Sequence, residues 1–204
     1  MFRISNWRAG LACAAMAAGL LGGAESASAQ TFDAFKEFKL KDNPNGDWSY
    51  LFAGQLLTTK LKACGGVTKF QCWWNDGQEP DSSVVGANKS GTTLSFETIN
   101  LPPKHLLLDP ESNADVSAQW TAPSAGSVEV TGNFLGVDTN EASHSVAILH
   151  NGTALKTFTM SAYQQESKFH LAFQVAAGDT ISFASYTNGW TNLSTGLQAT
   201  IKLN

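Results

Sequence analysis

The chain has 204 residues, 43% hydrophobic and 15% charged, with a formal net charge of −4. That length suits one β-domain with a core of its own. The acidic balance, and the lack of any arginine after Arg8, exclude nucleic acid and anionic membrane surfaces as expected partners, since neither bidentate phosphate forks nor a positive field is on offer.

The first residues read as a targeting leader. Arg3 and Arg8 precede the apolar run Ala9 to Gly23, and Ala27-Ser28-Ala29 supplies the small residues of a cleavage site before Gln30. The run is about 15 residues, short of the roughly 20 that span a bilayer. A signal peptide over 1–29 is therefore expected, with a single β-sandwich domain over 30–204. The destination is secreted or periplasmic, without membrane insertion. Loss of Arg3, Arg8 and Glu25 would leave only lysine as the basic residue of the mature chain.

Thr31 to Leu40 carries Phe32, Phe35 and Phe38 at threefold spacing and fits a short helix or a strand equally. From there the chain reads as short strands cut by turns. Trp48 to Phe52 is the first. Lys69 to Trp74 is the second and ends on two adjacent tryptophans, which must point to opposite faces if extended. One of Trp73 and Trp74 is then core and the other is open to a ligand. Cys64 and Cys72 lie eight apart in an exported chain, so a disulfide is expected; a two-thiolate metal site would need further ligands from elsewhere. Asp76 to Asn88 is the longest polar stretch and reads as a surface loop. Thr93 to Ile99 is the next strand.

Val116 to Thr121 and Ser127 to Phe134 flank the turn Ala122-Pro123-Ser124-Ala125-Gly126, and Val128 and Val130 alternate with Glu129 and Thr131. That pattern buries one face of an antiparallel sheet. Asp138-Thr139-Asn140-Glu141 then gathers hard oxygen donors, so Asp138, Asn140 and Glu141 are the candidate ligands for a structural Ca2+, without EF-hand spacing. No other cofactor is expected. His105, His144, His150 and His170 could form a metal site only by converging from separate strands; separate histidines are the plainer reading.

Ser145 to His150, Asn151-Gly152 and Ala154 to Met160 make a hairpin, the Asn-Gly pair supplying the positive φ angles of a type I′ turn. Lys168 to Val175, the turn Ala176-Ala177-Gly178-Asp179, Thr180 to Tyr186 and Gly196 to Leu203 complete about ten strands, the cue for a sandwich or jelly roll. Between the last two lies Tyr186-Thr187-Asn188-Gly189-Trp190-Thr191-Asn192. A tryptophan between two asparagines in a polar loop is a plausible sugar platform: a flat ring for a C–H face, amides for hydroxyls. Trp190, Asn188 and Asn192, with Trp73 or Trp74, are the expected ligand contacts.

The order Asn43-Pro44-Asn45-Gly46-Asp47-Trp48, Trp120-Thr121-Ala122-Pro123, Val146 to Gly152, Ala177-Gly178-Asp179-Thr180-Ile181-Ser182-Phe183 and Ser194-Thr195-Gly196-Leu197 resembles a domain of exported bacterial proteins of the sorting-signal (PEP-CTERM) type. It is similar to the galactose-binding-like or carbohydrate-module jelly rolls. The resemblance implies a two-sheet antiparallel β-sandwich (jelly roll) with an accessory, sugar-directed role, glycan or polysaccharide being the partner. Asp109-Pro110-Glu111 stands where that pattern often has His-Pro-Gly, and no sorting tail follows Asn204. A looser likeness joins the Asn-Gly hairpin and later Gly-Asp turn to the C1q/tumour-necrosis-factor jelly rolls.

No G-x-S-x-G elbow, H-E-x-x-H helix, phosphate loop or dinucleotide fingerprint occurs. The expected function is non-catalytic carbohydrate binding or a surface-matrix role. The alternative is a homo-oligomerising structural jelly roll. A third reading is a polysaccharide hydrolase or lyase using Asp138 and Glu141 near His144.

Overall fold

A computed structural model describes residues 29–75, 83–110, 114–187, 189 and 191–204. The signal-peptide expectation falls outside them, Ala29 excepted. In chain order the elements begin with β1 (Gln30–Asp33), the one-turn helix α1 (Ala34–Glu37), β2 (Trp48–Phe52), β3 (Gln55–Leu56) and β4 (Thr59–Leu61). β5 (Phe70–Trp74), β6 (Val84–Asn88), β7 (Leu94–Phe96), β8 (Ile99–Leu101), β9 (Leu106–Asp109) and β10 (Val116–Thr121) follow. The chain closes with β11 (Gly126–Gly136), β12 (His144–His150), β13 (Thr153–Met160), β14 (Glu166–Val175), β15 (Thr180–Ser185) and β16 (Thr195–Leu203).

Two antiparallel sheets form a sandwich. The first runs β14-β11-β16-β9-β6-β5-β4, with β1 also paired to β16; the second runs β13-β12-β15-β10-β2-β3. Alternation explains the layering. Trp120 faces inward between Trp48 and Ile181 of its two neighbours, while Val128, Val130 and Phe134 face it from the other sheet. Phe32 packs its ring 5.1 Å from Trp120, and Phe169 stacks on Phe183 at 5.6 Å, so aromatic contacts join the two layers. Both readings of Thr31 to Leu40 contain a part of the outcome. Phe32 extends in β1, then the Asp33 carboxylate accepts the Phe35 and Lys36 N–H groups and starts α1.

The hairpin β12–β13 turns on Asn151 (φ 48°) and Gly152 (φ 76°), with His150 opposite Thr153. The Asn151 amide donates to Asp179 at 2.9 Å and its carbonyl oxygen accepts the Thr180 N–H at 2.8 Å, so this turn is laced to the Gly178-Asp179 turn. The Ala176 N–H above all, then the Asn151 amide and the His150 ring, hold the Asp179 carboxyl down to about 2.

The surface-loop reading of Asp76 to Asn88 is corrected in its second half. Val84–Asn88 is a fully buried strand inside the first sheet, between β5 and β9. Residues 76–82 lie outside the described ones. Thr93 to Ile99 is also not one strand but the start of the hairpin β7–β8, which pairs Phe96 with Ile99. The Cys64–Cys72 disulfide is present, with Cα atoms 5.7 Å apart, as an oxidising compartment allows.

Candidate functional site

The outer face of the first sheet carries a second apolar layer, and a cleft opens beside it. β5, β6 and β9 lie side by side in register, placing Trp74, Val84 and Asp109 in one cross-strand row on that face. The next row is Leu61, Cys72, Gly86 and Leu107. Gly86 is required there, because a Cβ would run into the Phe70 ring. Phe70 in turn stacks on Phe96 of β7, centroids 5.0 Å apart. The β7–β8 hairpin thus roofs Phe70, Leu107 and Val137. Buried Asn88 pins its base, donating to the carbonyls of Thr92 and Leu101. Its tip, Glu97-Thr98, is tied to the loop after β11: the Thr98 hydroxyl donates to Asp138 at 2.9 Å and the Thr139 N–H to the Thr98 carbonyl at 2.8 Å.

Between this hairpin and the disulfide-bearing turn at Cys64–Gly66 lies a cavity of about 390 Å³. Trp74, Phe96, Val67 and Leu61 give it apolar walls, and Glu97 and Asp109 are its acidic groups; among the described residues no Lys, Arg or His lines it. The disulfide holds the turn against β5. Trp74 is half-buried and lines this cavity.

The two tryptophans separate as the alternation requires. Trp73 is 3% exposed in the main core, its indole N–H donating to the Lys39 carbonyl, so it is corrected from a ligand contact to a core residue. Asn192 is half-buried in a left-handed conformation (φ 64°), and its carbonyl accepts the Ala142 N–H. Asn188 and Trp190 lie outside the described residues.

Asp138, Asn140 and Glu141 form a tight turn whose carboxylates point into the protein. Asp138 accepts the Asn140 N–H at 2.7 Å on one oxygen and Thr98 on the other. One Glu141 oxygen accepts the Asp138 N–H at 3.1 Å; the other has no hydrogen-bond partner and lies 3.5 Å from the His144 Nδ1. Neither the Glu141 nor the His144 side chain is exposed. Burial, with the nearby negative charges of Asp138 and Asp109, pushes the Glu141 carboxyl up to about 8, against the pull of the Asp138 N–H. Burial lowers the His144 imidazole, whose Nδ1–H donates to the Ala142 carbonyl and whose Nε2 faces the Thr195 hydroxyl at 2.8 Å. Among the described residues no three His, Cys, Asp or Glu side chains are arranged to hold a metal ion. The residues of the hydrolase reading are buried: Asp138 is 2% and His144 4% exposed, and the Glu141 side chain has no exposed surface. His105, His150 and His170 stand apart, the last two on Asp179 and Glu129.

Phe96, Glu97 and Asp109 were not legible as site residues. Asp109 stood out in the sequence only as a departure from the His-Pro-Gly pattern, and it is strand pairing that sets it beside Trp74.

No family model and no curated protein matches the chain. Among solved structures, it is similar to a family 35 carbohydrate-binding module from Clostridium thermocellum, at 12% identity and a TM-score of 0.35, covering 86% of this chain and 98% of that one. The cleaved adhesin domain K1 of Lys-gingipain from Porphyromonas gingivalis W83 gives 12% identity and a TM-score of 0.40, covering 87% and 99%. Pika GITRL gives 16% and 0.32, covering 54% and 86%.

Proposed function

We propose that the chain is an exported, non-catalytic carbohydrate-binding β-sandwich whose ligand lies in the Trp74 cleft. The observation that carries this reading is that the half-buried Trp74 and the carboxylates of Asp109 and Glu97 line one cavity. A flat apolar wall suits the C–H face of a sugar ring, and carboxylates accept hydroxyl hydrogens. Size supports it too, since small-molecule sites run about 300–1,000 Å³. Trp74→Ala is expected to abolish binding to an oligosaccharide that the parent retains, measured by titration calorimetry, while Leu155→Ala on the exposed edge strand β13 leaves it intact. Equal binding by parent and Trp74→Ala removes the cleft from this reading. The loop bearing Asn188, Trp190 and Asn192 is the competing location.

Self-association is a second reading, favoured by the outer face of the second sheet. One cross-strand row there runs Thr157, Ala147, Ala184, Ser117, Leu51, Leu56, and the next contains Leu149, Ser182, Gln119 and Ser49. Neither row carries a charge, so two copies can meet there without the like-charge repulsion of an acidic chain. Sedimentation velocity should then show a concentration-dependent dimer that Ala184→Lys abolishes. A monomer at every concentration tested rejects this reading.

A further inference from the structure

We infer that the Trp74 cleft selects an amino sugar bearing a free ammonium group over neutral and anionic sugars; the inference rests on the carbohydrate reading above. Among the described residues, the charged groups lining the cleft, Glu97 and Asp109, are of one sign. Glu97 lies at the tip of the β7–β8 hairpin and the buried Asp109 at the end of β9, and both line the cavity with Trp74 and Phe96. Among the described residues no Lys, Arg or His lines the cavity to neutralise them.

A ligand stacked on Trp74 would place its ring substituents toward these carboxylates. A uronate there meets like charge in a partly desolvated cleft, whereas an ammonium gains charge-assisted hydrogen bonds. Asp109 is already engaged within the chain. A carboxylate has about four lone-pair sites, so it can accept from a ligand while keeping an internal partner. The Trp74 and Phe96 faces also suit a cation, through the negative face of each ring. An amino sugar satisfies both halves of the cleft: an apolar ring face for the wall and a positive charge for the rim.

Three tetrasaccharides that differ only at C2 test this: the β-1,4 glucosamine oligomer (ammonium), its N-acetylated form (neutral amide) and the glucose oligomer (hydroxyl), with an oligouronate as the anionic comparator. Titration at mildly acidic pH keeps the amines protonated. The glucosamine oligomer is expected to bind about tenfold or more tighter than its two neutral analogues, as one charge-assisted hydrogen bond in a partly desolvated site requires. Added salt should shrink the preference. Glu97→Gln and Asp109→Asn are each expected to weaken glucosamine binding, whereas Glu129→Gln, on a carboxylate paired with His170 away from the cleft, leaves it unchanged. An equal loss with Glu129→Gln marks attraction to the acidic chain as a whole and overturns the inference. Trp74-dependent binding of the glucose oligomer or the oligouronate as tight as that of glucosamine overturns it too, but leaves the carbohydrate reading standing. No binding of any of the four overturns both.

Discussion

Trp120→Ala is expected to lower the unfolding free energy by about 3–5 kcal/mol, the range for removing a fully buried aromatic. Trp120 has no exposed surface. It sits in the middle of the second sheet, opposite Trp48 on one side and Ile181 on the other, and touches Phe32 of β1 across the sandwich. Truncation therefore leaves a cavity bounded by both sheets, which neither can close alone. Its indole N–H has no hydrogen-bond partner, so the loss is one of packing rather than of a polar contact. Leu155→Ala, at a residue 42% exposed on the edge strand β13, should stay within about 0.5 kcal/mol of the parent. Denaturant titrations decide: a lower midpoint at unchanged slope agrees, and a Trp120→Ala midpoint equal to that of Leu155→Ala contradicts the packing described.

The second large effect is a loss of stability on the alkaline side of neutrality. The Glu141 carboxyl titrates at about 8 in the folded protein, against an ordinary value of 4.5. A carboxyl raised in this way stabilises the fold fully below the unfolded value and loses that contribution as pH rises through about 8. His144 and His105 are both lowered by burial, and the sign of their effect is opposite: they cost stability as pH falls below the unfolded histidine value of about 6.5. Toward about one pH unit above that value the histidines become mostly neutral in both states and the Glu141 effect dominates. Between about pH 7 and 8 the folded protein holds more protons than the unfolded chain, most of a proton on Glu141 against the remainder on the unfolded histidines, so stability should fall with pH, at less than the limit of about 1.4 kcal/mol per pH unit for one full proton. Glu141→Gln keeps the shape of the protonated acid and cannot ionise. It should flatten this slope and exceed the parent in thermal midpoint at alkaline pH. A parent whose midpoint stays level across this window, or a Glu141→Gln variant with the same slope, would show the carboxyl ionised in the folded state.

Much of the sandwich was legible because its strands alternate. Val128 and Val130 against Glu129 and Thr131, the Asn151-Gly152 turn and the Gly178-Asp179 turn each carry a local signal, and each element lies where that signal puts it. The adjacent tryptophans also separated into core and surface by alternation alone. β6 and β9 carried no such signal. Leu106, Leu107 and Leu108 are all buried, alternately by the main core and by the layer under the β7–β8 hairpin, so the strand has no polar face. β6 runs Val84-Val85-Gly86-Ala87-Asn88, and its glycine and asparagine read as loop residues. The glycine is there for the Phe70 ring and the asparagine for two hairpin carbonyls. The cleft was hidden for the same reason. Its parts come from β5, β7 and β9, and only the pairing of β6 between two of them brings Trp74 level with Asp109.

The location of the ligand is tested most directly by amide and indole NMR shifts during titration with an oligosaccharide. The expected result is a shift of the Trp74 indole N–H with the amides of Glu97 and Asp109, while the buried Trp48, Trp73 and Trp120 indoles stay in place. Shifts confined to residues 186–192 or to the outer face of the second sheet, with Trp74 unmoved at saturation, would contradict it.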